Sequence, residues 1–150
     1  MTQNLKNFLT GAKNKDFATK TGTQMHANLQ HVVIDKSGNR GDVELIKVLE
    51  SRPDLMPFFF KDARCEVPIA GFIGGRFLSR RLDRLVINHE NKTVDFLDYK
   101  TDTDKTAFIE QYRRQLNEYR ELLKSAYPGY KINGYILWLN DWTLERVVVQ

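Results

Sequence analysis

Hydrophobic positions along the chain change their period three times. Residues 1–20 are polar and lysine-bearing, with a weak apolar row of Leu5, Phe8, Leu9 and Phe17, and they read as a short helix or an ordered arm. From Thr23, a residue type that caps helices, Met25, Leu29, Val32 and Val33 recur at helical spacing until Gly38. Val43, Ile46 and Leu49 mark a second helix, which Pro53 ends. The period then drops to two. One strand is expected around Arg64 to Ala70, and "GRFLSRRLDRLVIN" and "KTVDFLDYKT" flank the polar turn "HEN" as a β-hairpin. Helical spacing returns most strongly in "TAFIEQYRRQLNEYRELLKSAY", with Phe108, Tyr112, Gln115, Tyr119 and Leu122 on one side. Two strands, "KINGYILWLN" and "TLERVVVQ", close the chain around a turn at Asn140 to Trp142. The order of helices, three strands, a long helix and two strands predicts an α/β fold, a mixed sheet with helices packed on it.

Composition narrows the class. At 150 residues, 41% hydrophobic and 28% charged, the chain is long enough for one domain with a real core. No apolar run reaches bilayer length and no leader pattern opens the sequence, so a cytoplasmic protein without a membrane partner is expected. Cys65 is the single cysteine. That excludes an internal disulfide, and it excludes a multi-cysteine zinc or iron–sulfur site within this chain. A net charge of +4 is mild and compatible with a polyanionic partner.

One stretch asks for chemistry. In "VDFLDYKTD" the alternation of a strand puts Val94, Phe96, Asp98 and Lys100 on one face, so an apolar row ends in an acid and a base. Buried charges are costly unless they pair or bind a metal. Asp83, in the other arm of the hairpin, can approach Asp98 across the ladder, depending on register. Two carboxylates aimed at one place call for a cation between them, and Mg²⁺ or Mn²⁺ prefers such oxygen ligands.

"GTQMH" with His26, then Asp83, then Asp98-Tyr99-Lys100, then Gln115 and Tyr119 form an ordered set over most of the chain. This set resembles the RecB/AddA-type nuclease domain of the PD-(D/E)XK superfamily. The resemblance implies a restriction-endonuclease-like core and hydrolysis of DNA phosphodiesters, with Mg²⁺, or Mn²⁺, as cofactor. It implies that His26, Asp83, Asp98 and the backbone carbonyl of Tyr99 hold the metal, and that Lys100 orients the attacking water and steadies the transition state. It further implies a module working beside a helicase motor, in cis or in trans, on single-stranded DNA or a DNA end in break repair and recombination.

Other residues stay open between roles. Gln115 and Tyr119 share a helical face, and either reach the pocket or the DNA beside it, or form a core tyrosine with an edge glutamine. Glu66 is either a support for the metal site through hydrogen bonds or a plain exposed glutamate. Arg76, Arg80, Arg81 and Arg84 surround Asp83 as phosphate contacts, shields for the carboxylates or a solvated face. Arg81 also stands where the family usually has glycine, which changes the approach of DNA. His31 lies about 140 degrees around the helix from His26, apart from any shared metal, and His89 is read as exposed. A non-catalytic module that grips DNA ends or a partner is the competing reading; a scaffold unrelated to nucleic acid is the third.

Overall fold

The computed structural model describes residues 15–147, with side chains from residue 22 onward. The short helix or ordered arm expected over residues 1–20 lies mostly outside this range; from residue 15 the chain is helical. Helix α1 runs Lys15–Gln30, α2 Val43–Glu50, a 3-10 turn Met56–Phe59, then β1 Arg64–Ile73, β2 Arg76–Asn88 and β3 Thr93–Lys100. Helix α3 spans Ile109–Ala126, followed by β4 Lys131–Trp138 and β5 Thr143–Val147. This is the expected element order in an α/β fold.

The five strands form one sheet in the order β1-β2-β3-β4-β5. Neighbours are antiparallel except β3 and β4, which run parallel because α3 carries the chain back between them. The β1–β2 hairpin turns at Gly74 and Gly75, both at positive φ (56° and 78°), as a two-residue turn matched to strand twist requires.

Each face of the sheet has its own core. On one side α1, α2 and the 3-10 turn bury Leu29, Leu49, Leu55 and Phe59 against Leu97 and Leu137. On the other, α3 buries Leu116 and Leu123 against Leu82, Leu85, Val94, Phe96 and Ile136. The central strand β3 is therefore covered on both faces, Val94 and Phe96 toward α3, Leu97 and Tyr99 toward α1. Truncating Phe96 to alanine in such a core costs about 3–5 kcal/mol.

Three expectations are corrected. Thr23 is no cap but lies inside α1, and the helix ends at Gln30, so Val32 and Val33 belong to the segment after it, where Val33 bridges Arg40. Val43 does not share the buried face of α2; it is 64% exposed, while Leu45, Ile46 and Leu49 are buried. The start of α2 is fixed instead by Asp42, whose carboxylate accepts from Leu45 N at 3.0 Å.

A break in strand alternation positions the site. Val67 and Ile69 pack toward α3, whereas the Cys65 thiol reaches the Gln30 carbonyl of α1. Likewise Leu82 packs toward α3 while Arg84 enters the α1 side. Regular alternation would give residues 65 and 67, or 82 and 84, the same face. The phase flips at Glu66 and Asp83 with the register conserved on either side, Cys65 opposite Arg84 and Val67 opposite Leu82. Glu66 takes a left-handed φ of 51°, a conformation that costs a non-glycine residue of order 1 kcal/mol or more.

Candidate metal and phosphodiester site

The flip gathers the site at the C-terminal end of β3. Continuing the β2–β3 register one step beyond Arg84 opposite Leu97 brings Asp83 across from Asp98. The Asp83 carboxylate takes over a ladder bond: its Oδ2 accepts the Tyr99 N–H at 2.7 Å. Its Oδ1 lies 3.1 Å from His26 Nε2, and Glu66 Oε1 lies 3.2 Å from the same nitrogen. Among the described residues, His26, Glu66 and Asp83 offer donor atoms that all lie within 4.8 Å of one another.

Why His26 arrives there follows from Gly22, one helical turn earlier. A Cβ at Gly22 would stand 2.6 Å from Thr101 Cγ2, so only glycine lets α1 approach the end of β3 this closely. The hydrogen bond to Asp83, its charge and the carboxylate of Glu66 raise the imidazole pKa above its ordinary value, against the opposing effect of burial. The imidazole thus lies between the two carboxylates, and in its protonated form it pairs with both.

Asp98 points to the α3 side of the same strand end, as its alternation predicts, and is 6% exposed. Burial pushes its carboxyl well above the usual carboxylate range; Asp83 nearby adds to this and Lys100 opposes it. Lys100 Nζ lies 2.7 Å from Asp98 Oδ2. The ammonium is the charged partner of this buried oxygen, and Asp83 crowds the same carboxyl from the neighbouring strand.

The ammonium of Lys100 is held from three sides. Besides Asp98, it donates to Gln115 Oε1 at 2.9 Å and sits 4.3 Å over the Tyr112 ring. Gln115 Nε2 in turn donates to the Tyr119 hydroxyl at 2.8 Å. The four-residue spacing of Gln115 and Tyr119 therefore builds a relay that aims the lysine. Gln115 reaches the pocket. Tyr119 is buried against Phe96, which removes it from contact with DNA.

The arginines separate into three roles. Arg84 is buried, its guanidinium 4.4 Å over the Phe59 ring, donating to the carbonyls of Leu29 and Val32 and to the Tyr99 hydroxyl. It closes the C-terminal end of α1, where a cation complements the helix dipole. A DNA contact by Arg84 is thereby corrected to an internal support that docks the helix bearing His26. Arg80 pairs with Glu118 at 3.0 Å and Arg76 with the same residue at 3.7 Å. Arg81 is exposed, 3.8 Å from Glu66. His31 is exposed and outside the cluster, and the exposed His89 meets the Tyr130 hydroxyl.

The structure revises two roles. Glu66 belongs to the donor trio itself rather than behind it, and Tyr112, named only as part of an apolar row, carries the ring beneath Lys100 and hydrogen-bonds Asp102. The signal for Tyr112 was its place one turn before Gln115. Glu66 stays open in the sequence between a support and a plain exposed glutamate, because its entry into the trio depends on a left-handed backbone that strand periodicity does not reveal.

No family model matches the chain, and no curated protein sequence matches it. Among solved structures, it is similar to the protein SSO0001, with 14% identity and a TM-score of 0.47 over 97% of this chain and 61% of that one. It is similar also to the "Putative exonuclease" of Eubacterium rectale, with 15% identity and a TM-score of 0.49 over 96% and 56%. The chain spans about three fifths of the length of these two structures.

Proposed function

We propose that this chain is a metal-dependent nuclease that hydrolyses DNA phosphodiesters. The observation that carries the reading is a convergence at one strand end. Three donor side chains lie within 4.8 Å of one another, and a second buried aspartate, Asp98, crowds Asp83 and pairs with the Lys100 ammonium at 2.7 Å.

The donor set fits a hard divalent cation. Carboxylate oxygens dominate it, the single imidazole suits Mn²⁺ and is tolerated by Mg²⁺, and the crowding of Asp98 by Asp83 is what a cation between them would relieve. His26, Glu66, Asp83 and Asp98 would hold the ion, with the Tyr99 carbonyl as the family resemblance implies. When bound, such an ion acidifies a water and polarises a phosphoryl oxygen.

The chain's own groups do the rest. Lys100 offers N–H donors to a phosphoryl oxygen, its direction fixed by Gln115 and the Tyr112 ring. Asp83 is rigid because it also completes the backbone ladder at Tyr99. Arg84 anchors α1, so His26 cannot drift from the carboxylates. Work beside a helicase motor, on single-stranded DNA or a DNA end, is the setting this reading favours.

The test is digestion of end-labelled linear single-stranded DNA with Mg²⁺ or Mn²⁺. Cutting that EDTA stops is expected, and absence of cutting with both metals overturns the reading.

A further inference from the structure

We propose that the outer face of the β1–β2 ribbon is a stacking platform that leads a nucleic-acid single strand to the candidate site. The proposal rests on the nuclease reading, because it names where the substrate lies.

The anomaly that prompts it is an aromatic pair left in water. Phe72 is 73% exposed and Phe77 59% exposed. They stand directly opposite each other in the ladder, next to the Gly74–Gly75 turn, with ring centroids 5.4 Å apart and edge to face. A cross-strand aromatic pair stabilises its hairpin by only about 0.2–1 kcal/mol. Isolated exposed apolar residues need no explanation, but two large rings together at a projecting tip do.

Alternation settles which face they occupy. Val67, Ile69 and Leu82 pack toward α3, so Pro68, Ala70, Phe72, Phe77, Ser79 and Arg81 share the opposite face, and all six are exposed. This face bears one cation, Arg81, and meets its first carboxylate only at Glu66, a member of the donor trio. From Phe77 to Asp83 the strand rises about 20 Å. The order along it is thus aromatic pair, small side chains, arginine, then the candidate metal site.

That order suits one occupant. Bases stack on aromatic rings with little regard to sequence, and a cation tracks the phosphates between them. The small side chains between leave the strand unobstructed. Duplex DNA would hide the faces of its bases from the phenylalanines, so the ribbon selects an unpaired strand.

The test measures binding in EDTA, where nothing is cut, by fluorescence anisotropy of a labelled single strand of about 12 nucleotides. A matched strand lacking bases over one half serves as the control. Phe72→Ala/Phe77→Ala should weaken binding of the intact strand about tenfold or more and barely change binding of the base-free one. Phe72→Trp/Phe77→Trp should restore it. With Mg²⁺ the alanine variant should cut a dinucleotide-length substrate as the wild type does, yet show a raised KM on the long strand.

Equal affinity of the wild type for intact and base-free strands overturns the proposal. So does a double variant that binds like the wild type, or one whose only change is a lost self-association, which would make the pair a protein contact. Absence of cutting by the wild type would sink the nuclease reading instead, while leaving the binding comparison intact.

Discussion

Two aspartates three residues apart on β3 have opposite fates. Asp95 is half-buried and satisfied: Asn133, its cross-strand neighbour, donates to it at 2.7 Å, and Arg146 donates to Asn133 at 2.8 Å. Asp98 is buried, sits near a second carboxylate, and is met by the Lys100 ammonium at 2.7 Å. The strand supplies the same side chain to both places. What differs is the company each keeps. A chain of donors holds Asp95, which makes it structural, whereas burial beside a second carboxylate leaves Asp98 with surplus negative charge that a cation would balance.

The sharpest way to break this contrast is to remove the charges at each place. Asp98→Asn and Lys100→Ala should each lower the rate of DNA cutting about 10²- to 10³-fold or more. In metal-free buffer Asp98→Asn should leave Tm unchanged or raise it, because a buried carboxylate crowded by Asp83 is replaced by a neutral amide. Asp95→Ala should do the reverse, with cutting near the wild-type rate and stability lower by about 1 kcal/mol from the broken link to Asn133. Calorimetry beside a gel assay reads both. Loss of cutting in the Asp95 variant, with cutting retained in the Asp98 variant, would invert the assignment.

Arg84→Ala comes next. It strips two carbonyls at the end of α1 and the Tyr99 hydroxyl of their donor inside the core, and should cost about 3 kcal/mol of stability. Denaturant unfolding measures it. A loss below about 0.5 kcal/mol would mean the guanidinium is a surface group after all.

Asp83 separates charge from scaffold. Relief of carboxylate crowding suggests that Asp83→Ala is harmless to the metal-free fold, but the bond from Tyr99 N contradicts this, because its loss strands a buried N–H and costs about 1–3 kcal/mol. Asp83→Asn keeps an acceptor for that N–H. It should fold with nearly wild-type stability and yet fail to cut.

These cases also mark what the sequence could reveal. Alternation in "VDFLDYK" placed Asp98 and Lys100 on the α3 face because β3 is regular throughout. Arg84 was misread because a charged residue in a strand looks solvated until the strand breaks its phase. A trace of that break was present: Leu82 and Leu85, three apart, both face α3, which one regular strand cannot achieve. The start of α1 was lost for another reason. Lys15 to Gln24 carry no apolar stripe, so that stretch offers no period to read, and what fixes α1 is the tertiary contact of Gly22 with Thr101 and the Arg84 clasp at its far end.

The smallest effect tests the satisfied end of the molecule. Arg52 donates to both Asp54 oxygens, at 3.0 and 2.8 Å, and to the Trp142 carbonyl at 2.5 Å. The guanidinium holds the Asp54 carboxyl below its ordinary range. A depressed carboxyl contributes stability that is present above its unfolded pKa of about 3.9 and is lost as pH falls through the lower folded value. Because the pair is largely solvated, screening reduces this to about a few tenths of a kcal/mol. Asp54→Asn should therefore flatten the stability curve below about pH 4 and leave neutral-pH cutting untouched. Unfolding followed from pH 5 to pH 2 checks it; an effect of several kcal/mol would mean that this ion pair is far less well solvated than its exposure implies.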